Sequence, residues 1–274
     1  MLEEKQFDTG VVAINYGQGP LNGPPLVVLH GTSNWWRTFL PVLPYFSKRF
    51  HVFATDFRGH GLSGRVPQGY QWERYGEDTI TFLREVVREP VYLVGHSLGA
   101  MMALRAGALA PELLRAAVLE EPPLYSYRGE RMRGRPTHKL FVAWCDLARQ
   151  RLTVKELEVA LSKLQPNLSP AALGLRAQSL ALLDADVLSM HLDGIGTEGY
   201  DTDDYLRKIR CPVLLLRGDP ALGGAVEKPD EIRAMSLLTR GVAHQFSGTG
   251  HNIHQNEVEK YQRLVANFLV PELT

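Results

Sequence analysis

Cysteine is scarce: the 274 residues hold two, Cys145 and Cys211, far apart in the chain. That is too few for a disulfide framework and suits a reducing compartment, with both thiols read as core packing. Net charge is absent as well, since thirty basic residues balance thirty acidic ones, so no overall field favours nucleic acid or an anionic membrane surface. No apolar run reaches the ~18 residues that a membrane span requires. The opening stretch, Met1 to Gly10, is charged and lacks the apolar segment of a secretory signal. Internal repeats and low-complexity tracts are missing too, which excludes solenoids and disordered arrays. The expectation is a soluble, cytoplasmic protein, monomer or homodimer, with one core and one insertion.

What is there is ordinary globular material, 45% hydrophobic and 22% charged. Short apolar runs ending in glycine or a small polar residue alternate with helical patterns, the signature of parallel strands covered by helices, an α/β fold. The runs are Leu26 to Leu29, His51 to Ala54, Val91 to Val94, Ala116 to Leu119, Val213 to Leu216 and a weaker Val242 to Phe246. Phe7 to Tyr16, with Gly10 near its middle, reads as a hairpin on the sheet edge. Helical periodicity marks Tyr75 to Arg88, Leu98 to Ala110, Glu231 to Leu238 and Glu257 to Leu269. The interval 122–210 breaks the alternation and carries helix signals such as Thr153 to Leu164, so it is read as a helical lid inserted into a core of 1–121 and 211–274.

The sharpest motif is Gly95-His96-Ser97-Leu98-Gly99, set between the strand Val91 to Val94 and the helix that starts at Leu98. G-x-S-x-G in that setting is a nucleophile elbow: a turn too tight for ordinary backbone angles leaves the serine hydroxyl exposed above the sheet. The helix start directs N–H groups and a positive dipole end at any oxyanion formed there, which makes the Leu98 N–H the first donor. His30-Gly31-Thr32 follows the first parallel strand, where a second donor is needed, and the Thr32 N–H takes that role without its side chain. Ser33, Trp35 and Trp36 are then expected near the pocket mouth, with Ser33, Trp36 and His96 as substrate contacts. His30 is read as a loop-holding residue.

Together, His30-Gly31, Asp56-Phe57-Arg58-Gly59-His60-Gly61-Leu62-Ser63, Gly95-His96-Ser97-Leu98-Gly99 and Gly250-His251 resemble the α/β-hydrolase family. The resemblance covers most of the chain outside the lid. It implies an eight-stranded, mostly parallel sheet, helices on both faces, a lid after the sixth strand, and the order nucleophile, acid, histidine. Asp56 is loop scaffold in that frame.

His251, in the glycine-rich loop Gly248-Thr249-Gly250-His251 after the last strand, is the candidate base for Ser97. Its partner acid is open between two sites. The family usually places an acid three residues past the glycine that ends the seventh strand, yet in Leu216-Arg217-Gly218-Asp219-Pro220-Ala221 that position is alanine. Asp219 stands one residue past the glycine, and Pro220 equally suggests a turn-forming role for it. Glu121, in Leu119-Glu120-Glu121-Pro122-Pro123, falls where members resembling haloalkane dehalogenases supply their acid. Glu121 is preferred, with Asp219 as the alternative and Glu120 facing away, because neighbours on a strand point to opposite sides. A metal pair of His251 and His254 lacks a supporting cluster, and neither metal nor cofactor is expected.

Serine at the elbow excludes the alkyl-ester chemistry of dehalogenases and epoxide hydrolases, whose nucleophile is aspartate, and points to acyl transfer. The leading expectation is a carboxylesterase acting on a small acyl ester or lactone. Lactone or carbon–carbon hydrolysis on the same triad is the variant; a non-catalytic receptor and a cofactor-free perhydrolase are the other classes. In the lid, Tyr125, Tyr127, His138, Phe141, Trp144 and Met190 suit an apolar roof. The basic run Arg128 to Arg135 reads as a solvated loop, and charge balance suggests a neutral or small substrate.

Overall fold

Runs that are apolar at every position require cover on both faces, and the sheet supplies it. The computed structural model describes residues 2–127 and 129–270. Its strands are β1 (Glu3–Asp8), β2 (Ala13–Gln18), β3 (Pro25–Leu29), β4 (His51–Thr55), β5 (Val91–His96), β6 (Leu114–Glu120), β7 (Val213–Arg217) and β8 (Gly241–Gln245). They form one eight-stranded sheet in the order β1-β2-β4-β3-β5-β6-β7-β8. β1 and β2 make the antiparallel edge hairpin, β2 runs antiparallel to β4, and the remaining pairs are parallel. β1 starts earlier than its apolar pattern suggests, because an edge strand exposed on both sides needs no buried face.

Alternation through the central strands sorts the core into two clusters, one per face. Val27, Leu29, Leu93, Ala117, Leu119, Val213 and Leu215 join the first, while Leu26, Val28, Val94, Val118, Leu214 and Leu216 join the second. Helices Trp72–Phe82, Leu98–Leu109 and Lys228–Leu237 and the closing helix Val258–Leu269 cover these faces. Each fully buried leucine or valine there stabilises the fold by about 1.5–3 kcal/mol.

Between β6 and β7 lie the helices Gly129–Arg133, Pro136–Arg149, Val154–Leu164, Pro170–Ala181, Ala185–Leu192 and Thr202–Lys208. Thr153 and Glu156 form a reciprocal capping box on one, and Ser169 Oγ accepts the Ala172 N–H at 3.2 Å to start another. Polar ties fasten this insertion to the rest. Tyr70 OH donates to Asp184 at 2.6 Å, Asp184 N donates to Gly59 O at 2.8 Å, and Tyr200 OH donates to Met101 O at 2.5 Å. The basic run is not a free solvated loop: Arg131 grips Asp230 through two bonds of 3.0 and 2.7 Å, and Arg135 donates to Gly224 O and Ala225 O. Arg128 lies outside the described residues. Among the described residues no helix is long and apolar enough to cross a membrane.

Candidate active site

β5 delivers Ser97 to a bend with φ +52° and ψ −113°, and the helix Leu98–Leu109 begins at the next residue. A left-handed φ on a residue with a Cβ is strained, and the surroundings must hold it. Ser97 N donates to Glu120 O at 2.9 Å, and Ala100 N returns to Ser97 O at 3.0 Å. The two elbow glycines allow the close approach. A Cβ on Gly95 would lie 2.2 Å from Gly99 O, and one on Gly99 would lie 2.2 Å from Leu29 O.

His251 follows β8, and its Nδ1 stands 3.0 Å from Glu121 Oε2. Glu121 has no exposed side-chain surface, whereas His251 keeps a quarter of its own. Gly218 N donates to Glu121 Oε1 at 2.6 Å, and Ala225 N donates to Oε2. Three donors thus share one carboxylate at the end of β6. A carboxylate on Nδ1 leaves Nε2 as the free acceptor. Asp219 is not brought to the ring: its carboxylate accepts Ala221 N at 2.9 Å and caps the 3-10 turn Pro220–Leu222. No hydrogen bond joins Ser97 Oγ to His251; both residues line the same two cavities. Such contacts are often long before substrate arrives.

Thr32 also lines both cavities, Leu98 lines the smaller one, and neither backbone N–H makes a hydrogen bond within the described residues. His30 holds this loop in place: Phe57 N donates to its Nε2 at 3.0 Å and its Nδ1 bonds Gly31 O at 2.8 Å.

The larger cavity, about 380 Å³, is bordered by Thr32, His96, Ser97 and His251 below and by Phe141, Trp144 and Arg176 from the insertion. The smaller adds Trp72 and Tyr127. Two expected contacts are corrected. Trp36 lines neither cavity; it is buried in the second cluster, and its indole N–H donates to Glu4 Oε1 at 3.1 Å. Ser33 is fully buried, with its N–H on His60 Nε2 at 3.2 Å and its oxygens facing Arg176. The tryptophans at the site come instead from the helix Trp72–Phe82 and from Pro136–Arg149, because the turn Trp36–Phe39 packs against β3 and β4 and carries Trp36 into the second cluster. Tyr125, His138 and Met190 line neither cavity.

His96 does border the larger cavity, yet its Nε2 is bonded to His251 O at 2.9 Å, and burial lowers its pKa well below the usual histidine range. Below it lies a pair that the sequence pattern did not reveal. Glu120, fully buried, takes both His254 N at 2.9 Å and His254 Nδ1 at 2.9 Å. Burial alone would raise the Glu120 carboxyl, but the His254 and His96 rings beside it and the His254 hydrogen bonds outweigh burial and hold it at about 2. His96, Glu120 and His254 are the single group among the described residues whose ligand atoms converge as a metal site would need. Glu120 and His254 are spent on one another and His96 Nε2 on His251 O, while His96 Nδ1 has no partner among the described residues.

An eight-stranded sheet of this order, with a strained serine after β5 and a histidine after β8, defines a hydrolase scaffold. The chain belongs to the alpha/beta hydrolase family, whose model matches residues 26–266. It is 27% identical over 281 residues to a 2-(acetamidomethylene)succinate hydrolase of Mesorhizobium japonicum, covering 97% of this chain and 94% of that one. It is 25% identical over 249 residues to an N-formylmaleamate deformylase of Pseudomonas putida, covering 90% and 89%. Among solved structures it is similar to E-2-(acetamidomethylene)succinate hydrolase, with a TM-score of 0.78, 24% identity and coverage of 98% and 99%. The N-formylmaleamic acid deformylase of Pseudomonas putida S16 superimposes with a TM-score of 0.80 at 20% identity over 96% and 100% of the chains. The protein is a hydrolase.

Proposed function

We propose that the protein transfers a small acyl group to water through Ser97, with His251 as general base and then acid and Glu121 holding the His251 tautomer and stabilising its charged form. The carrying observation is the buried Glu121 carboxylate, fixed by Gly218 and Ala225 and set 3.0 Å from His251 Nδ1. Proton transfer from Ser97 to Nε2 lets Oγ attack the carbonyl; the Thr32 and Leu98 N–H groups then stabilise the oxyanion, each contributing roughly 100- to 1,000-fold in rate. His251 protonates the leaving group, and water reverses the sequence to free the acid. The helical insertion acts as a lid over the acyl site.

For the bond itself, carboxylic esters and lactones remain the first reading, because the hydroxyl nucleophile requires only an activated carbonyl. A second reading is cleavage of an acyl–nitrogen bond, supported by the acetamido and formyl groups in the names of the two relatives. Side-by-side turnover of small esters, lactones and N-acyl compounds separates these readings. Ser97→Ala should abolish hydrolysis of all of them and covalent labelling by a fluorophosphonate; persistent labelling or turnover in that variant refutes the proposal.

A further inference from the structure

Arg176 sits on the helix Pro170–Ala181 and lines the larger cavity together with Ser97 and His251. Its Nη1 donates to Ser33 O and Ser33 Oγ, both at 3.1 Å, and its Cζ lies 4.3 Å from the centre of the Trp144 ring. The opposite edge of the guanidinium, Nε and Nη2, makes no hydrogen bond within the described residues, and no carboxylate there pairs with it. Arginines drawn into the protein are otherwise neutralised, buried Arg58 by Asp78 at 2.6 Å and buried Arg217 by Glu231 at 2.6 Å, whereas Arg176 is part-buried. Arg176 is the exception, and no aspartate or glutamate lines its cavity. Burial lowers its pKa to about 10, so it stays charged at neutral pH.

A part-buried cation that faces a cavity without an anion is incompletely compensated, and an arginine edge with two parallel N–H groups matches a carboxylate in both shape and charge. We propose that Arg176 anchors a carboxylate of the substrate, so that the protein acts on acyl compounds carrying a free carboxylate at a fixed distance from the scissile carbonyl. This deepens the acyl-transfer reading above and rests on it for the identity of the scissile carbonyl. The distance is fixed because Arg176 is tied to Ser33, the residue after the donor Thr32, and Ser33 is itself locked at φ +61°. Anchor and oxyanion loop therefore move as one piece, which selects substrates by chain length. The overall charge balance hides this local positive site, and the neutral substrate expected from it is replaced by an anionic one.

The test compares 4-nitrophenyl hydrogen succinate, glutarate and adipate with 4-nitrophenyl butyrate and valerate. The expected result is a kcat/KM at least about tenfold higher for one of the carboxylated esters, with an optimum at one chain length. In Arg176→Met the ratio of carboxylated to neutral kcat/KM falls about 30- to 100-fold, and Arg176→Lys recovers part of it. Equal rates on both ester classes, or equal losses in Arg176→Met, overturn the anchor. Binding of glutarate, but not of glutaramide, to Ser97→Ala by calorimetry reads the anchor without chemistry. Binding there with no ester turned over by the parent protein would sink acyl transfer and leave the anchor standing; no binding there would sink the anchor. Should Arg176→Met fail to melt cooperatively, the parent's substrate preference and the calorimetry decide.

Discussion

Glu121 and Asp219 lie at the carboxyl ends of neighbouring strands, and their surroundings divide their roles. The first carboxylate is buried and shared among two backbone donors and an imidazole, while the second closes a local turn. Glu121→Gln should therefore lower kcat by roughly 10³- to 10⁴-fold with a near-normal melting curve, because an amide no longer enforces the productive tautomer. Asp219→Asn should stay within a few-fold of the parent. Steady-state kinetics on one ester checks both, and a deep loss in Asp219→Asn with an active Glu121→Gln would reverse the assignment. One residue earlier, Glu120 is bound to His254 in the core. Glu120→Leu leaves the buried His254 backbone N–H and ring without their acceptor and should cost about 1–3 kcal/mol for each, read by urea unfolding. The depressed pKa of Glu120 gives stability that is present above the ordinary carboxyl range and lost as pH falls toward about 2.

At the scale of elements, the elbow works because a strand end, a helix start and β3 touch backbone to backbone. Gly99→Ala would put a methyl 2.2 Å from Leu29 O and 2.8 Å from His30 O, so the helix Leu98–Leu109 would have to move off the sheet. A loss of about 3 kcal/mol or more in thermal or urea unfolding is expected. Gly174 offers the contrast: it lies within the helix Pro170–Ala181, and an added Cβ meets only Glu158 Oε1 at 3.4 Å. Gly174→Ala should stabilise by up to about 1 kcal/mol, since alanine loses less backbone freedom in a helix. Equal effects from the two substitutions would deny that close approach governs the elbow.

For the molecule as a whole, burial sets the response to acid. Burial lowers the pKa of His30, His60, His96 and His191, to about 4 for His60 and His191. The unfolded chain binds protons at these rings below about pH 6.5, where the folded protein does not. Their contribution is therefore present above pH 6.5 and lost as pH falls toward 4, by about 1.4 kcal/mol per pH unit for each proton not taken up. Burial raises Asp56, to about 6, and Asp78, which act in the opposite sense between the unfolded carboxyl range and about pH 6. With His51 and His244, whose pKa burial also lowers, six rings against two carboxyls give a melting temperature that drops from pH 7 to pH 4. A flat or rising profile by calorimetry would show that these histidines are not buried as neutral rings.

Strand runs, the edge hairpin and the strand-turn-helix context of Ser97 were legible in the chain because each depends on residues a few positions apart. The interleaving of Leu26 to Leu29 with two cores is written in its own alternation. The carboxylate at His251 was not settled in the same way, since Glu121 and Asp219 are separated from the ring by different stretches of chain and only folding brings one of them to it. The fate of Trp36 and the pairing of Glu120 with His254 were equally invisible, because the first rests on a turn of the chain and the second on a partner more than a hundred residues away, whereas Trp144 was expected in the roof and does line the larger cavity. Arg176 is the extreme case: it looks like any helical arginine in sequence, and it is set apart only by the acidic neighbours it lacks, which the packing of the insertion over the sheet alone decides.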